Sequence, residues 1–211
     1  MQKLTFYIYT LFFYLSNILS FYSIWSKIYR KFNHDMFRSI PLDVGLSPEA
    51  AWKRMSVLTW TKDGYKELFD AIGSPHWVQH CINQIRRGQE QPHGALDCDE
   101  FSAWAVETLH RRYCPLLLSI AYQKEGRLKP GGHNVCVYVD KDVQIYHLSN
   151  WGISGPYHNL EQLVNHTCQM AKAKKIGWAI HNRSLNHLRF GVKCPRNMDS
   201  NDLKAIYYLT Y

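Results

Sequence analysis

The 211-residue sequence contains no CxxC pair, no internal repeat and no low-complexity segment. Without closely spaced cysteines, we do not expect a zinc or iron–sulfur site built from thiolates. A chain of this length also buries enough surface to fold without disulfides. We therefore expect no metal, no cofactor and a reducing compartment in which the cysteines are free thiols. The six are Cys81, Cys98, Cys114, Cys136, Cys168 and Cys194.

Acidic residues are few, with 17 Asp and Glu against 25 Lys and Arg, so the formal net charge is +8. Such a charge invites a nucleic-acid partner, but the basic residues are scattered and no nucleic-acid motif accompanies them. We expect a solvated basic surface and no nucleic-acid partner. With 46% hydrophobic and 20% charged residues, the chain has neither the composition of a disordered protein nor that of a multi-span membrane protein.

No charged residue occurs from Leu4 to Trp25. A segment of roughly 20 residues is long enough to cross a bilayer, although its hydroxyl and tyrosine side chains are more typical of a membrane interface. No small-residue cleavage site follows, which argues against a removed signal peptide. Lys27, Arg30 and Lys31 come next and favour a cytoplasmic domain, on the inner face of a membrane if the segment binds one. The alternative is a helix docked on a protein surface.

We divide the chain into residues 1–44, an apolar N-terminal helix with a basic connector, and residues 45–211, a single domain. Helix starts are indicated at Ser47, Ser74 and Asp97, because Ser and Asp cap helices and Pro follows both serines. Helices followed by an antiparallel sheet predict the α+β class. Strands are expected at 116–122, 134–140 and 143–148 with one or two more after 176, and further helices at 65–72 and 161–174.

The strongest candidate nucleophile is Cys98, which follows a loop and is expected in the first turn of a helix. Backbone N–H groups and the positive end of the helix dipole stabilise a thiolate there, and the thiolate is the attacking form. Asp97, Asp99 and Glu100 also suit a helix start, but their negative charge disfavours the thiolate. A base is therefore needed, and histidine is the usual one.

The best candidate for that base is His133, which follows two glycines and opens a strand. We expect its side chain on the opposite face of this strand from the three valines that follow. A two-residue turn to the next strand would pair His133 with Asn150, and a three-residue turn is expected to pair it with Ser149. Paired residues share a face, so Asn150 could orient the imidazole and select its tautomer.

This order of motifs resembles the transglutaminase-like superfamily, and in particular its bacterial transglutaminase-like cysteine proteinases. The resemblance implies a papain-like core, in which the nucleophile begins a helix packed on an antiparallel sheet. It also implies a Cys–His–Asp or Cys–His–Asn triad and acyl transfer to water or an amine. The segments that carry it are Asp97–Phe101, His133, Ser149–Gly152, Trp60–Gly64 and Trp77.

The sequence departs from this family at two places. Leu96 stands where the family usually has glycine, and Ser149 or Asn150 stands where the third triad member is usually aspartate. Asparagine takes that role in papain-like peptidases. The expected triad is therefore Cys98, His133 and Asn150.

These residues predict a cysteine-dependent hydrolase that cleaves a peptide, isopeptide or side-chain amide bond in a protein or peptide substrate. A catalytically silent binding module of the same fold, tethered by its N-terminal helix, is the alternative. Gln89 and Gln91 are candidate oxyanion donors beside the nucleophile's own N–H. The HWVQH spacing of His76 and His80 suits zinc, but it lacks the glutamate base and a third ligand, so we assign it to an ordinary helix face.

Overall fold

The computed structural model describes residues 2–18, 24, 27, 28, 36–61, 74–94, 96–127, 130–194 and 196–209. The short helix expected at 65–72 lies outside them. Within these residues there are six helices and six strands. The helices are α1 Gln2–Ile18, α2 Pro48–Met55, α3 Pro75–Arg86, α4 Cys98–Leu109, α5 Leu160–Met170 and α6 Ser200–Tyr208. The strands are β1 Leu116–Lys124, β2 Gly131–Val139, β3 Ile145–Ser149, β4 Gly152–Tyr157, β5 Ala173–His181 and β6 His187–Gly191.

All six strands form one antiparallel sheet in the order β4-β3-β2-β1-β5-β6. Three helices come before the sheet in the domain, so the predicted α+β class is confirmed. The sheet is built by consecutive hairpins from β1 to β4. The chain then crosses through α5 and places β5 on the other side of β1.

The predicted helix starts are confirmed by their caps. The Ser47 hydroxyl accepts a hydrogen bond from the N–H of Ala50, and the Ser74 hydroxyl accepts one from the N–H of His76. Asp97 caps α4 in a capping box with Glu100, whose carboxylate accepts the N–H of Asp97. Each cap satisfies backbone donors that have no partner inside the helix.

The alternating side chains of the sheet fill two hydrophobic clusters, one on each face. On the face covered by α2, α3 and α4, here called the α4 face, Leu117 and Cys136 pack with Trp104 and Leu109. The opposite face, called the α5 face, is covered by α5 and α6. Its strand residues include Leu118, Ile120, Val135, Val137 and Val139. The α4 helix is therefore held against one known face of the sheet.

The turn between β2 and β3 has three residues and a different register from the one expected. The N–H of Asp140 donates to the carbonyl of Gln144, and the Asp140 carboxylate accepts from the N–H groups of Asp142 and Gln144. Val143 completes the loop with a φ of 62°. The pairs Val139–Ile145 and Cys136–Leu148 continue to place Trp151 opposite His133. The expected pairing of His133 with Asn150 or Ser149 is therefore wrong.

The N-terminal helix α1 packs on β5 and β6. The ring of Phe13 lies against Gly177, where there is no room for a Cβ, and the centroids of the Tyr14 and Phe190 rings are 5.5 Å apart. None of the helices in the described part of the chain is both long and apolar enough to cross a membrane.

Candidate active site

Cys98 is the first residue of α4, and the loop before it is anchored at two places. Thr61 and Leu96 exchange both of their backbone hydrogen bonds, at 2.9 and 3.1 Å, and the Thr61 hydroxyl donates to the carbonyl of Gly94 at 2.6 Å. Gly94 lies so close to the indole of Trp77 that a Cβ there would be 2.5 Å from a ring carbon. These contacts fix the position at which the helix begins.

Among the six cysteines, all of which are described, Cys98 alone is not buried, and no disulfide joins any two of them. Burial raises the pKa of Cys81 and Cys194 to about 12 and that of Cys168 to about 11, because a thiolate is poorly solvated in an apolar interior. These thiols stay protonated at neutral pH. Cys98 is the cysteine placed to meet a reagent or a substrate.

The thiol of Cys98 contacts a carboxylate. Its Sγ donates to Oδ1 of Asp99 at 3.5 Å, and the same oxygen accepts a hydrogen bond from the side-chain amide of Asn134. Asp99 is 2% exposed and Asn134 is 5% exposed, so this chain of contacts runs from the half-exposed thiol into the interior. Ser102 of α4 also donates to the carbonyl of Asn134 at 2.7 Å. The first turns of α4 are thereby bound to the start of β2.

His133 lies on the other face of β2. It is paired with Ile120 on β1, a member of the α5-face cluster, and paired residues share a face. Val135, two residues further on, belongs to the same cluster. The expected placement of His133 opposite the valines is therefore wrong, because side chains two apart on a regular strand point the same way. Asn134 is the residue that β2 presents to α4.

The imidazole of His133 is stacked on the indole of Trp151, with ring centroids 3.7 Å apart and an angle of 10° between the planes. The residue is 3% exposed, and its Nε2 has no hydrogen-bond partner among the described residues. Burial, together with a smaller contribution from the nearby imidazole of His147, lowers the pKa of His133 to about 3. His133 is consequently neutral at physiological pH.

The two candidates for the third triad position differ in their surroundings. The Ser149 hydroxyl accepts a hydrogen bond from the N–H of Trp151 at 3.1 Å and is held in the turn. Asn150 lies just beyond β3, in the turn to β4, and its Oδ1 is buried without a hydrogen-bond partner in the described residues.

Gln91 and the HWVQH pair have other roles. The Gln91 side chain makes two hydrogen bonds to the backbone of Thr59, at 2.7 and 2.9 Å, so its amide is not available as an oxyanion donor in this arrangement. His76 Nδ1 is 2.7 Å from the carbonyl oxygen of Ile40, and His80 stacks on Trp77. Gln89 is exposed on the loop.

In the described residues, the only three metal-ligand side chains that come together are Asp97, Cys98 and Asp99, whose ligand atoms lie within 4.8 Å of one another. Their carboxylates are already engaged. Asp97 Oδ1 accepts the N–H of Asp99, and Asp99 Oδ1 binds Asn134. Each carboxylate therefore serves the protein itself, and we do not assign a metal site to this cluster.

Sequence reasoning missed the roles of Asp99 and Asn134. Both stand beside a residue that it selected, Asp99 after Cys98 and Asn134 after His133. Strand alternation would have identified Asn134, because residues two apart point to the same face of a strand. Asn134 therefore shares a face with Cys136 and Tyr138, which both pack against α4. When the whole chain is compared with known proteins, no family model and no curated sequence matches it.

Proposed function

We propose that this protein is a cysteine-dependent acyl-transfer enzyme that hydrolyses a peptide, isopeptide or side-chain amide bond, with Cys98 as its nucleophile. The observation that carries the proposal is the position of Cys98, the one cysteine of six that is not buried, at the N-terminus of a helix. Helix and sheet are proposed to form a papain-like core. None of the six cysteines forms a disulfide, which favours a cytoplasmic location.

The reaction proceeds in two steps. A base takes the Sγ proton, the sulfur attacks the amide carbonyl, and the C–N bond breaks as the same base returns its proton to the leaving amine. Water then attacks the thioester, giving one proton to the base. The S–C bond breaks, the acid product leaves, and the thiol recovers its proton.

Two groups are proposed for the base, and different observations support them. Asp99 is in contact with Sγ, and Asn134 orients its carboxylate. A histidine in water has a pKa close to neutral pH, which suits a general base. In this structure, however, His133 is neutral, buried and stacked on Trp151. For His133 to act with Cys98, its ring would have to leave Trp151 and reach the α4 face, where Asn150 would orient it.

The second candidate function is a catalytically silent module that binds a protein or peptide. The observation that favours it is the Sγ to Asp99 hydrogen bond. A thiol that donates to a carboxylate is held as the protonated, weakly nucleophilic form. The two functions are distinguished by the reactivity of Cys98.

The test is the rate of iodoacetamide labelling at each cysteine as a function of pH, followed by peptide mass spectrometry. Fast labelling of Cys98 below pH 7 is expected for the enzyme. A slower reaction in His133→Ala would assign the base to His133, and a slower reaction in the isosteric Asp99→Asn would assign it to Asp99. A titration midpoint near the ordinary thiol value of about 8.5 would contradict the enzyme and favour the silent module.

Two controls belong to this experiment. The buried Cys81 and Cys194 of the same molecule should remain unlabelled, because burial keeps them protonated. Each variant should also melt cooperatively, since a change that unfolds the domain would expose every cysteine and be seen as labelling at all six.

A further inference from the structure

The helix α1 has two different faces. The side chains of Phe6, Tyr9, Thr10 and Phe13 are partly covered, and those of Phe6 and Phe13 contact β5. The other face consists of large apolar side chains that are between 44% and 69% exposed. These side chains, here called the exposed arc, are Leu4, Tyr7, Ile8, Leu11, Phe12, Tyr14 and Leu15.

The exposed arc is broad. At 3.6 residues per turn its members cover roughly 160° of the helix circumference, which is wider than the two-position seam of a coiled coil. No charged residue interrupts it, because the sequence has none from Leu4 to Trp25. Contiguous apolar surface of this size marks an interaction site in a folded protein. The mixture of aliphatic and aromatic side chains suits the boundary between lipid headgroups and acyl chains.

The part of the chain on which α1 packs is basic. The chain from Ala173 to Met198, which forms β5 and β6, contains six Lys and Arg residues and no acidic residue. Arg183 and Arg196 are used in ion pairs with Glu107 and Glu161. Of the others, Lys174, Arg189 and Lys193 are exposed, and the Lys174 ammonium lies 4.7 Å from the centre of the Phe6 ring. Lys174 therefore borders the helix that carries the exposed arc. Arg189 pairs with Ile180, a member of the α5-face cluster, whereas the neighbouring Phe190 contacts Tyr14, so Arg189 lies on the other face of the sheet from α1.

We propose that the exposed arc of α1 binds the surface of a membrane that contains anionic lipids. The helix lies flat with its inner face on the sheet, the apolar side chains enter the boundary region, and the neighbouring Lys174 meets lipid headgroups. Because β5 and β6 occupy one side of α1, lipid contacts only the other side. The inference is independent of the chemistry at Cys98.

The test is cosedimentation of the full chain with vesicles of phosphatidylcholine and phosphatidylglycerol, and with vesicles of phosphatidylcholine alone. Binding is expected to be stronger to the anionic vesicles and to fall with added salt, because surface charges are screened. Leu11→Gln and Phe12→Gln should each weaken partitioning about tenfold or more, because each removes a large apolar side chain from the lipid. Lys174→Gln should weaken binding to the anionic vesicles only, because this ammonium lies beside α1.

Leu209→Gln and Met170→Gln are matched controls, since both residues are exposed and apolar but lie far from α1 in sequence, Leu209 just after α6 and Met170 at the end of α5. They should bind vesicles as the wild type does. Equal loss in these controls, or no binding to either vesicle, would overturn the proposal. So would a concentration-dependent dimer in lipid-free sedimentation that Leu11→Gln abolishes, because the exposed arc would then be the interface between two copies of the chain.

Discussion

The His133 imidazole and the Trp151 indole lie face to face, with 3.7 Å between their centroids. The register between β2 and β3, which is set by a three-residue turn, brings these two rings together. The stack covers the histidine, and burial then removes water from the ring. Burial and the nearby His147 lower the pKa of His133 to about 3, and the Trp151 indole is one of the groups that bury the ring.

The first prediction concerns acid stability. The folded-state pKa of His133 is about 3 and that of His147 is about 4, both below the ordinary 6.5 of the unfolded chain. Between these values the unfolded state binds more protons, so the free energy of unfolding should decrease as pH falls from about 6.5 towards 3. In His133→Gln this decrease should be shallower, as measured by urea unfolding at several pH values. His93→Gln, on an exposed loop, should keep the wild-type slope.

The second prediction separates the stack from the rest of the fold. Trp151 is 40% exposed, so Trp151→Ala should leave the domain folded while it opens the His133 ring to water. The pKa of His133 should then rise from about 3 towards 6.5, because the charged imidazole regains hydration. Titration of the imidazole signals by NMR measures this directly. A His133 pKa that stays near 3 would show that other neighbours, and not the indole, keep water away.

The third prediction concerns the turn that sets the register. Val143 has a φ of 62° and is 39% exposed, a conformation that is costly for a β-branched residue and easy for glycine. Val143→Gly should therefore raise the free energy of unfolding by about 1 kcal/mol. Val57→Gly is the control, because Val57 is also exposed but does not have a positive φ, and its replacement should not stabilise. Thermal and chemical unfolding of both variants and of the wild type measures this difference in stability.

The fourth prediction concerns the support of α4. Gln79 is 1% exposed, and its Oε1 accepts hydrogen bonds from the Trp104 indole at 3.0 Å and from the N–H of Asp43 at 3.2 Å. Gln79→Met leaves the buried indole donor without this acceptor, so we expect a loss of about 2–4 kcal/mol in stability. Gln84→Met, on the same helix, should cost less than about 1 kcal/mol, because the contact between its side-chain amide and His80 is 3.5 Å long and therefore weak. Equal losses would mean that the helix, and not the Gln79 contacts, is sensitive to substitution.

Local signals made the helices predictable. Ser47, Ser74 and Asp97 act as caps through contacts within three residues. These helix starts can therefore be predicted from the local sequence alone. The helix α6 was not expected, although its cap Asp199 uses the same kind of contact, because the tail around it has no clear hydrophobic period.

The register of β2 and β3 was harder to predict, because one residue more or less in the turn between them shifts every pair of the two strands. A valine at position 143 does not predict a positive φ, which is typical of Gly or Asn. The Asp140 carboxylate stabilises the three-residue turn by accepting two backbone N–H groups, and many loop sequences could make such contacts. One extra residue changes the partner of His133 from Asn150 to Trp151. The expectation that a three-residue turn would give Ser149 counted in the wrong direction, because a longer turn moves the partner to a higher residue number. Side-chain alternation was an available signal, and it assigns Asn134 to the α4 face and His133 to the α5 face.

The two outer strands of the sheet have a consequence for the solubility of the protein. On one side β4 contains Pro156, which has no N–H to offer a further strand, and its pairing with β3 is irregular. On the other side β6 has only five residues and carries the charged Arg189. Short strands, proline and charge are the features that prevent one sheet from adding to another. Self-association by edge-to-edge strand pairing is therefore disfavoured at both ends of this sheet, even at high protein concentration.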